Sequence, residues 1–159
     1  MTDEQKLESK FWDFLEESPF VMLGLKGSGF TRPMTAQIDK DRQIYFFASR
    51  SDELVTGLAH STDAIATYAS KGHDFFASMK GVLVVNNDRE KIDRLWSVMI
   101  SAWYEQGKDD PDLVLLRFDT DRADVWEAGT GSAVKAAWLK LTGRDPKEQS
   151  QEDRAQVML

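Results

Sequence analysis

The chain contains no cysteine, which excludes disulfides, thiolate nucleophiles and Cys-type metal sites. Its two histidines, His60 and His73, stand in different segments, so no His-rich metal site is expected. No apolar run approaches the roughly 20 residues that span a bilayer. The opening MTDEQKLESK is polar and acidic and lacks the apolar core of a signal peptide. Lysine and arginine form no stripe, and the net charge is −7. That argues against nucleic acid, whose phosphates demand clustered cations. Neither a GxGxxG nor a P-loop pattern occurs. The expectation is a cytoplasmic protein with no metal, membrane or nucleic-acid partner.

What is present suits one domain. The 159 residues are 42% hydrophobic and 30% charged, enough for a sizeable core. Residues 4–17 carry Leu7, Phe11, Phe14 and Leu15 at helical spacing, and Ser18-Pro19 ends the run. FVMLGLKG, GFTRPMTAQIDKD, QIYFFAS, DAIATYAS and FFASMKGVLVV read as strands, with Gly81 a bulge in the last. LVLLRF and ADVWEA read as a final strand pair joined by DTDR. Short helices are expected near 52–60 and over 132–142. A longer one starts at Asp88 and places Ile92, Leu95, Trp96, Met99 and Trp103 on one face. Strands with few helices between them point to an antiparallel barrel or sandwich with helices at its ends. Residues 1–143 form the domain, and residues 144–159 read as a loose polar tail.

One strand breaks its own pattern. Met34, Ala36 and Ile38 alternate with polar residues, and the same face continues to Arg32, followed by Pro33. A buried guanidinium needs an anion or several acceptors. Either Arg32 lies at the strand's open end, pairs with an aspartate or reaches out to water, or it faces a bound anionic or carbonyl-rich ligand. Ser49-Arg50-Ser51 ends the next strand and opens a helix. A helix start offers free amides that favour phosphate, although an ordinary cap with a surface arginine has the same sequence. Lys71 and His73 sit at the turn ASKGHD, either solvated or as a further cation near such a ligand. Trp126, where a strand runs into a glycine-rich exit, could cover a flat ring or fill a subunit interface.

TRPMTAQI, IYFFASR, SKGHDFFASMKG and DRLW…AWYEQGKDDPDLVLLRFDTDRADVWEA follow one another in order. Together they resemble the general stress protein branch of the pyridoxamine 5'-phosphate oxidase-like FMN-binding split barrels, over roughly residues 5 to 143. The resemblance implies a mainly β fold, a six-stranded antiparallel split β-barrel with flanking helices. It implies FMN, or FAD, as cofactor, and a homodimer with two flavin sites at the subunit interface. By position, Arg32, Pro33, Met34 and Thr35 match the segment along the flavin. Phe47, Ala48, Ser49 and Arg50 match the segment at the ring edge and phosphate. Lys71 and Gly72 match a second edge, and Trp126 matches an aromatic that the partner subunit brings to the ring.

The chain also departs from the pattern. Asp52 and Leu54 stand where many split barrels carry a phosphate-binding Ser and Lys. Gln37 stands where true pyridoxamine phosphate oxidases have a lysine that holds substrate, and Phe76 replaces a flavin-contacting glutamine. Vitamin oxidation is therefore not expected. The reading is a flavin-dependent oxidoreductase of unknown substrate, with no catalytic residue assigned. The alternative is a flavin-binding, buffering or sensing module without turnover. A third is a related barrel that binds haem or nothing.

Overall fold

The computed structural model describes residues 2–58, 61–127 and 154–159. Helix α1 (Asp3–Glu17) starts at Thr2, whose hydroxyl accepts from the Gln5 amide while the Gln5 side chain accepts from the Thr2 amide. This reciprocal cap satisfies amides that a helix start leaves free. Eight strands follow: β1 (Phe20–Leu25), β2 (Arg32–Thr35), β3 (Gln37–Ile38), β4 (Ile44–Ser49), β5 (Ser61–Ala69), β6 (Phe75–Val85), β7 (Leu113–Glu127) and β8 (Arg154–Met158). Their order is β2-β1-β5-β6-β7-β4-β3, antiparallel throughout, with β8 paired to β7. β2 and β3 stand at the two ends of this order, yet only Ala36 separates them in the chain. The sheet therefore curls until its ends meet. Counted as one bent strand, β2 and β3 complete the expected six, and β8 is an addition.

LVLLRF and ADVWEA are not a strand pair but one continuous strand, β7, with DTDR inside it. The end of the expected loose tail is strand β8, and its Val157 is fully buried. The reason is an available edge. β4 covers β7 only from Leu113 to Phe118, and β8 takes the same edge from Arg122 to Trp126. The expected helix over 132–142 and the boundary at 143 lie outside the described residues.

The barrel interior is filled by residues such as Leu23, Phe46, Met79, Leu83, Leu116 and Phe118. Phe11, Trp12 and Leu15 of α1 join this core and plug one end. There Phe14 stacks on Phe75 at 4.9 Å, and the Tyr68 hydroxyl donates to the Phe14 carbonyl at 2.6 Å. Burial pushes the Tyr68 phenol up to about 12, with Glu17 and Asp74 adding to it. At the opposite mouth sits α2 (Glu53–Thr56), whose Leu54 packs into the same core.

A second apolar layer covers the outside of β4 and β7. Tyr45, Leu113 and Leu115 are buried beneath α3 (Arg89–Leu95) and α4 (Val98–Ser101), with Ile92, Ile100 and Tyr104. The expected single helix is thus two. Trp96 turns extended and Ser97 caps a new turn, which resets the phase. Ile100 is buried instead of Met99, and Met99 and Trp103 stand exposed. Among the described residues no helix is long and apolar enough to cross a membrane.

Asp39 fastens this layer to the barrel. It is buried after β3 and accepts from Arg94 Nε at 2.9 Å and Nη2 at 2.6 Å, and from Lys91 Nζ at 2.5 Å. The Arg94 bonds hold its carboxyl well below the usual carboxylate range against the opposing effect of burial, with help from Lys91. A carboxylate with a depressed folded pKa stabilises fully above its unfolded value of about 4, and this is lost as pH falls towards the folded value. Asp39→Asn should therefore cost roughly 2–3 kcal/mol at neutral pH. In chemical denaturation the gap to wild type should close below about pH 4.

Gly81 is the expected bulge. The β6–β7 register shifts between Lys80 and Gly81, and a Cβ there would overlap the Asp119 carbonyl. Gly81→Val should cost about 1–3 kcal/mol by overpacking. Thermal melting checks this, with a drop of about 2–4 °C expected per kcal/mol for a domain of this size.

Candidate functional site

The barrel is left open between β2 and β4. β3 covers only Ile44 and Tyr45 of β4, so Phe46 to Ser49 have no strand on that side among the described residues. The outer edge of β2 likewise has none. Continued straight, the β3–β4 register would set Thr35 opposite Phe47 and Arg32 opposite Arg50. Instead the strand swings away at Ala36, whose amide donates to the Pro19 carbonyl at 2.7 Å, and β2 pairs with β1. Pro33 is accommodated because β2 is a terminal strand. The two segments expected along the flavin, Arg32–Thr35 and Phe47–Arg50, thus form the two lips of the split.

Arg32 pairs across the sheet with buried Leu23, so it stands on the barrel-facing side, at the mouth. Its guanidinium is 43% exposed and bridges to the Asp52 carboxylate. Of the alternatives open from the sequence, pairing with an aspartate is the arrangement found. Asp52 also caps α2, accepting from the Leu54 amide at 2.9 Å. Around the ion pair the mouth opens into a cleft of about 500 Å³, a size usual for ligand sites. Its floor is Leu23, Leu25 and Leu54, and Ser28 and Phe30 stand at its wall. The turn before β2 carries Gly27 and Gly29 at φ of 85° and 77°, and Phe30 emerges from it 87% exposed. That pair of glycines was the sequence signal for Phe30, and sequence reasoning missed it.

The other lip is less open to an anion than its sequence suggests. The Arg50 amide donates to the Asp112 carbonyl at 2.7 Å, and Arg50 Nε donates to the Pro111 carbonyl at 3.1 Å. The amide and hydroxyl of Ser51 both donate to Asp112 Oδ1, at 3.2 and 3.4 Å. The Asp52 amide donates to the Ser49 carbonyl. Behind this lip lies the buried Tyr104. Burial pushes its phenol up, a hydrogen bond with Ser49 opposes that, and Asp112, Asp110 and Asp52 push the same way as burial.

The remaining expected residues divide by location. The Phe47 ring packs edge-on against Trp96 at 5.8 Å, beneath α3, and Ala48 faces the barrel. This lip therefore presents strand edge more than side chain. Met34 packs against the core, while Pro33 and Thr35 are exposed. Lys71 and Gly72 lie exposed on the β5–β6 turn, held by buried Ser70. Trp126 pairs with Phe76 near the end of β7, whereas Ser49 pairs with Leu113 at its start. The structure thus brings Arg32–Thr35 and Phe47–Arg50 together, and places Lys71, Gly72 and Trp126 at the barrel's other end.

An antiparallel barrel left open along a bent strand defines the class: a split barrel. The family model described as "Pyridoxamine 5'-phosphate oxidase like" matches residues 6–147. General stress protein 26 of Bacillus subtilis (strain 168) is 26% identical over 137 residues, covering 83% of this chain and 96% of that protein. A general stress family protein from Xanthomonas campestris pv. campestris is 47% identical, with a TM-score of 0.77 over 81% of this chain and 92% of its own. The general stress FMN/FAD binding protein from Xanthomonas citri is 45% identical, with a TM-score of 0.75 over 79% and 91%. The chain belongs to the pyridoxamine 5'-phosphate oxidase-like family, on its general stress protein branch.

The double role of Asp52 separates two substitutions. Asp52→Asn keeps a good N-cap and loses only a half-exposed ion pair, so stability should change by less than about 1 kcal/mol. Asp52→Ala removes the cap as well and should cost about 1 kcal/mol more. Urea denaturation of the two variants measures the difference.

Proposed function

We propose that this protein binds a flavin along the split between β2 and β4. The observation that carries this reading is the pair of strand edges, on β2 and on Phe46–Ser49 of β4, left without a neighbour among the described residues, beside a cleft at the barrel mouth lined by Arg32 and Asp52. Support comes from the Xanthomonas citri relative, which is described as binding FMN or FAD. A flat heterocycle is suited to such a slot, because strand edges offer amides and carbonyls in one plane. The bound ring would supply the electron transfer. The chain's part is to hold and orient it and to exclude water. Flavin-dependent oxidoreduction in the cytoplasm is the activity proposed. A holding or sensing role is the second reading, and the carboxylate beside Arg32 favours it, because it weakens the grip on an anion.

Two copies would complete the site. Trp126, Lys71 and Gly72 stand far from the split of their own chain. The outer face of β1 also exposes Phe20 and Met22, at 64% and 40%. Burying that face against a second copy would remove apolar surface from water. Stable homodimers of this kind bury about 2,000 Å² or more.

Two measurements test the proposal. After incubation with FMN or riboflavin and gel filtration, the absorption spectrum should show flavin bands. A Soret band, or no chromophore after either incubation, would sink the flavin reading. Sedimentation should show a dimer at micromolar concentration, and Met22→Glu should shift it towards monomer. A wild-type monomer would rule out the shared site.

A further inference from the structure

We infer that Asp52 cancels the attraction of Arg32 for phosphate, so that the split recognises the ring and sugar chain of a flavin and holds riboflavin about as tightly as FMN. This rests on the proposed flavin binding and specifies which flavin it takes.

A phosphate at the mouth would need free donors and a positive field. Arg32 is the cation that lines the cleft, and its guanidinium already meets the Asp52 carboxylate; Arg50, on the other lip, is not part of that lining and donates its Nε to the Pro111 carbonyl. A phosphate approaching Arg32 therefore meets a carboxylate in the same place. It must either displace that carboxylate or accept its repulsion. Displacement has a second cost, because the same Oδ1 atom accepts from the Leu54 amide and caps α2. The neighbouring backbone donors offer no substitute. Asp112 occupies the Ser51 amide and hydroxyl, and the Arg50 and Asp52 amides donate to carbonyls within the chain. The carboxylates of Asp52, Asp110 and Asp112 all act on Tyr104 behind the lip, which marks this end as acidic. The floor of the cleft is aliphatic, through Leu23, Leu25 and Leu54. An uncharged hydroxylated chain loses far less against such surroundings than a dianion does.

The test is titration of riboflavin and FMN, followed by quenching of flavin fluorescence, with wild type and Asp52→Asn. Asparagine preserves the cap and the shape and removes only the charge. Wild type should bind the two ligands with affinities within about threefold of each other. Asp52→Asn should tighten FMN on the order of tenfold, the scale of one charged hydrogen bond, and leave riboflavin unchanged. Raising the salt concentration should shrink that gain, because the mouth is half exposed. Wild type preferring FMN tenfold would overturn the inference. So would a substitution that moves neither ligand, or both alike. If neither flavin binds either protein, the flavin reading itself fails, an outcome distinct from binding without the expected selectivity.

Discussion

A β-strand has two edges and can offer each to only one neighbour at a given residue. The bend at Ala36 exploits that limit. Residues before it pair with β1, residues after it pair with β4, and the barrel closes through one covalent corner. Closure by a bent strand leaves a wedge, because β2 and β4 diverge on the open side of the corner. Everything proposed about function depends on that wedge. It sets two lips face to face, fixes which residues form them, and puts Arg32 at the wide end.

Asp39 and Asp52 both meet cations, and their surroundings give them opposite characters. Asp39 is buried between Arg94 and Lys91, where removing one partner leaves a charge without solvent. It therefore acts as a rivet between α3 and the barrel. In the pair of Arg32 with Asp52 the arginine is 43% exposed and screened by solvent, so the pair adds little to stability. A weak pair can be opened at small cost. Its consequence lies in what it does to an incoming charge rather than in what it holds together.

Much of the fold was legible because it is local. Apolar runs bounded by turns marked β1, β4, β5 and β6, the bulge fell at Gly81, and Asp88 capped its helix. What escaped was decided at long range. DTDR reads as a turn, yet β6 on one side carries it through as strand. Residues 154–158 look polar, yet an open length of β7 recruits them and buries Val157. The helical face through Met99 and Trp103 was lost to one cap at Ser97. The site shows the same division. The sequence marked Arg32 as out of place and Asp52 as a departure from the family pattern. Only the curled sheet shows that each is the other's partner, and that Trp126 stands at the wrong end to join them.

That separation has a consequence for how binding and association must be related. β7 is 15 residues long and is paired along most of its length on both sides, so it cannot fold back to carry Trp126 to the split. If a ligand touches both sets of residues, it touches two chains. Ligand and second copy then stabilise one another, since whatever binds only the assembled form shifts the equilibrium towards it. The coupling would be carried mainly by the ring, which the lips and the partner's aromatic would share. It would not be carried by the phosphate end, where Asp52 stands within the same chain as Arg32. On the proposed reading, a barrel of this design would tie the presence of a flavin ring to its own assembly and would be indifferent to the charge at the ligand's tail.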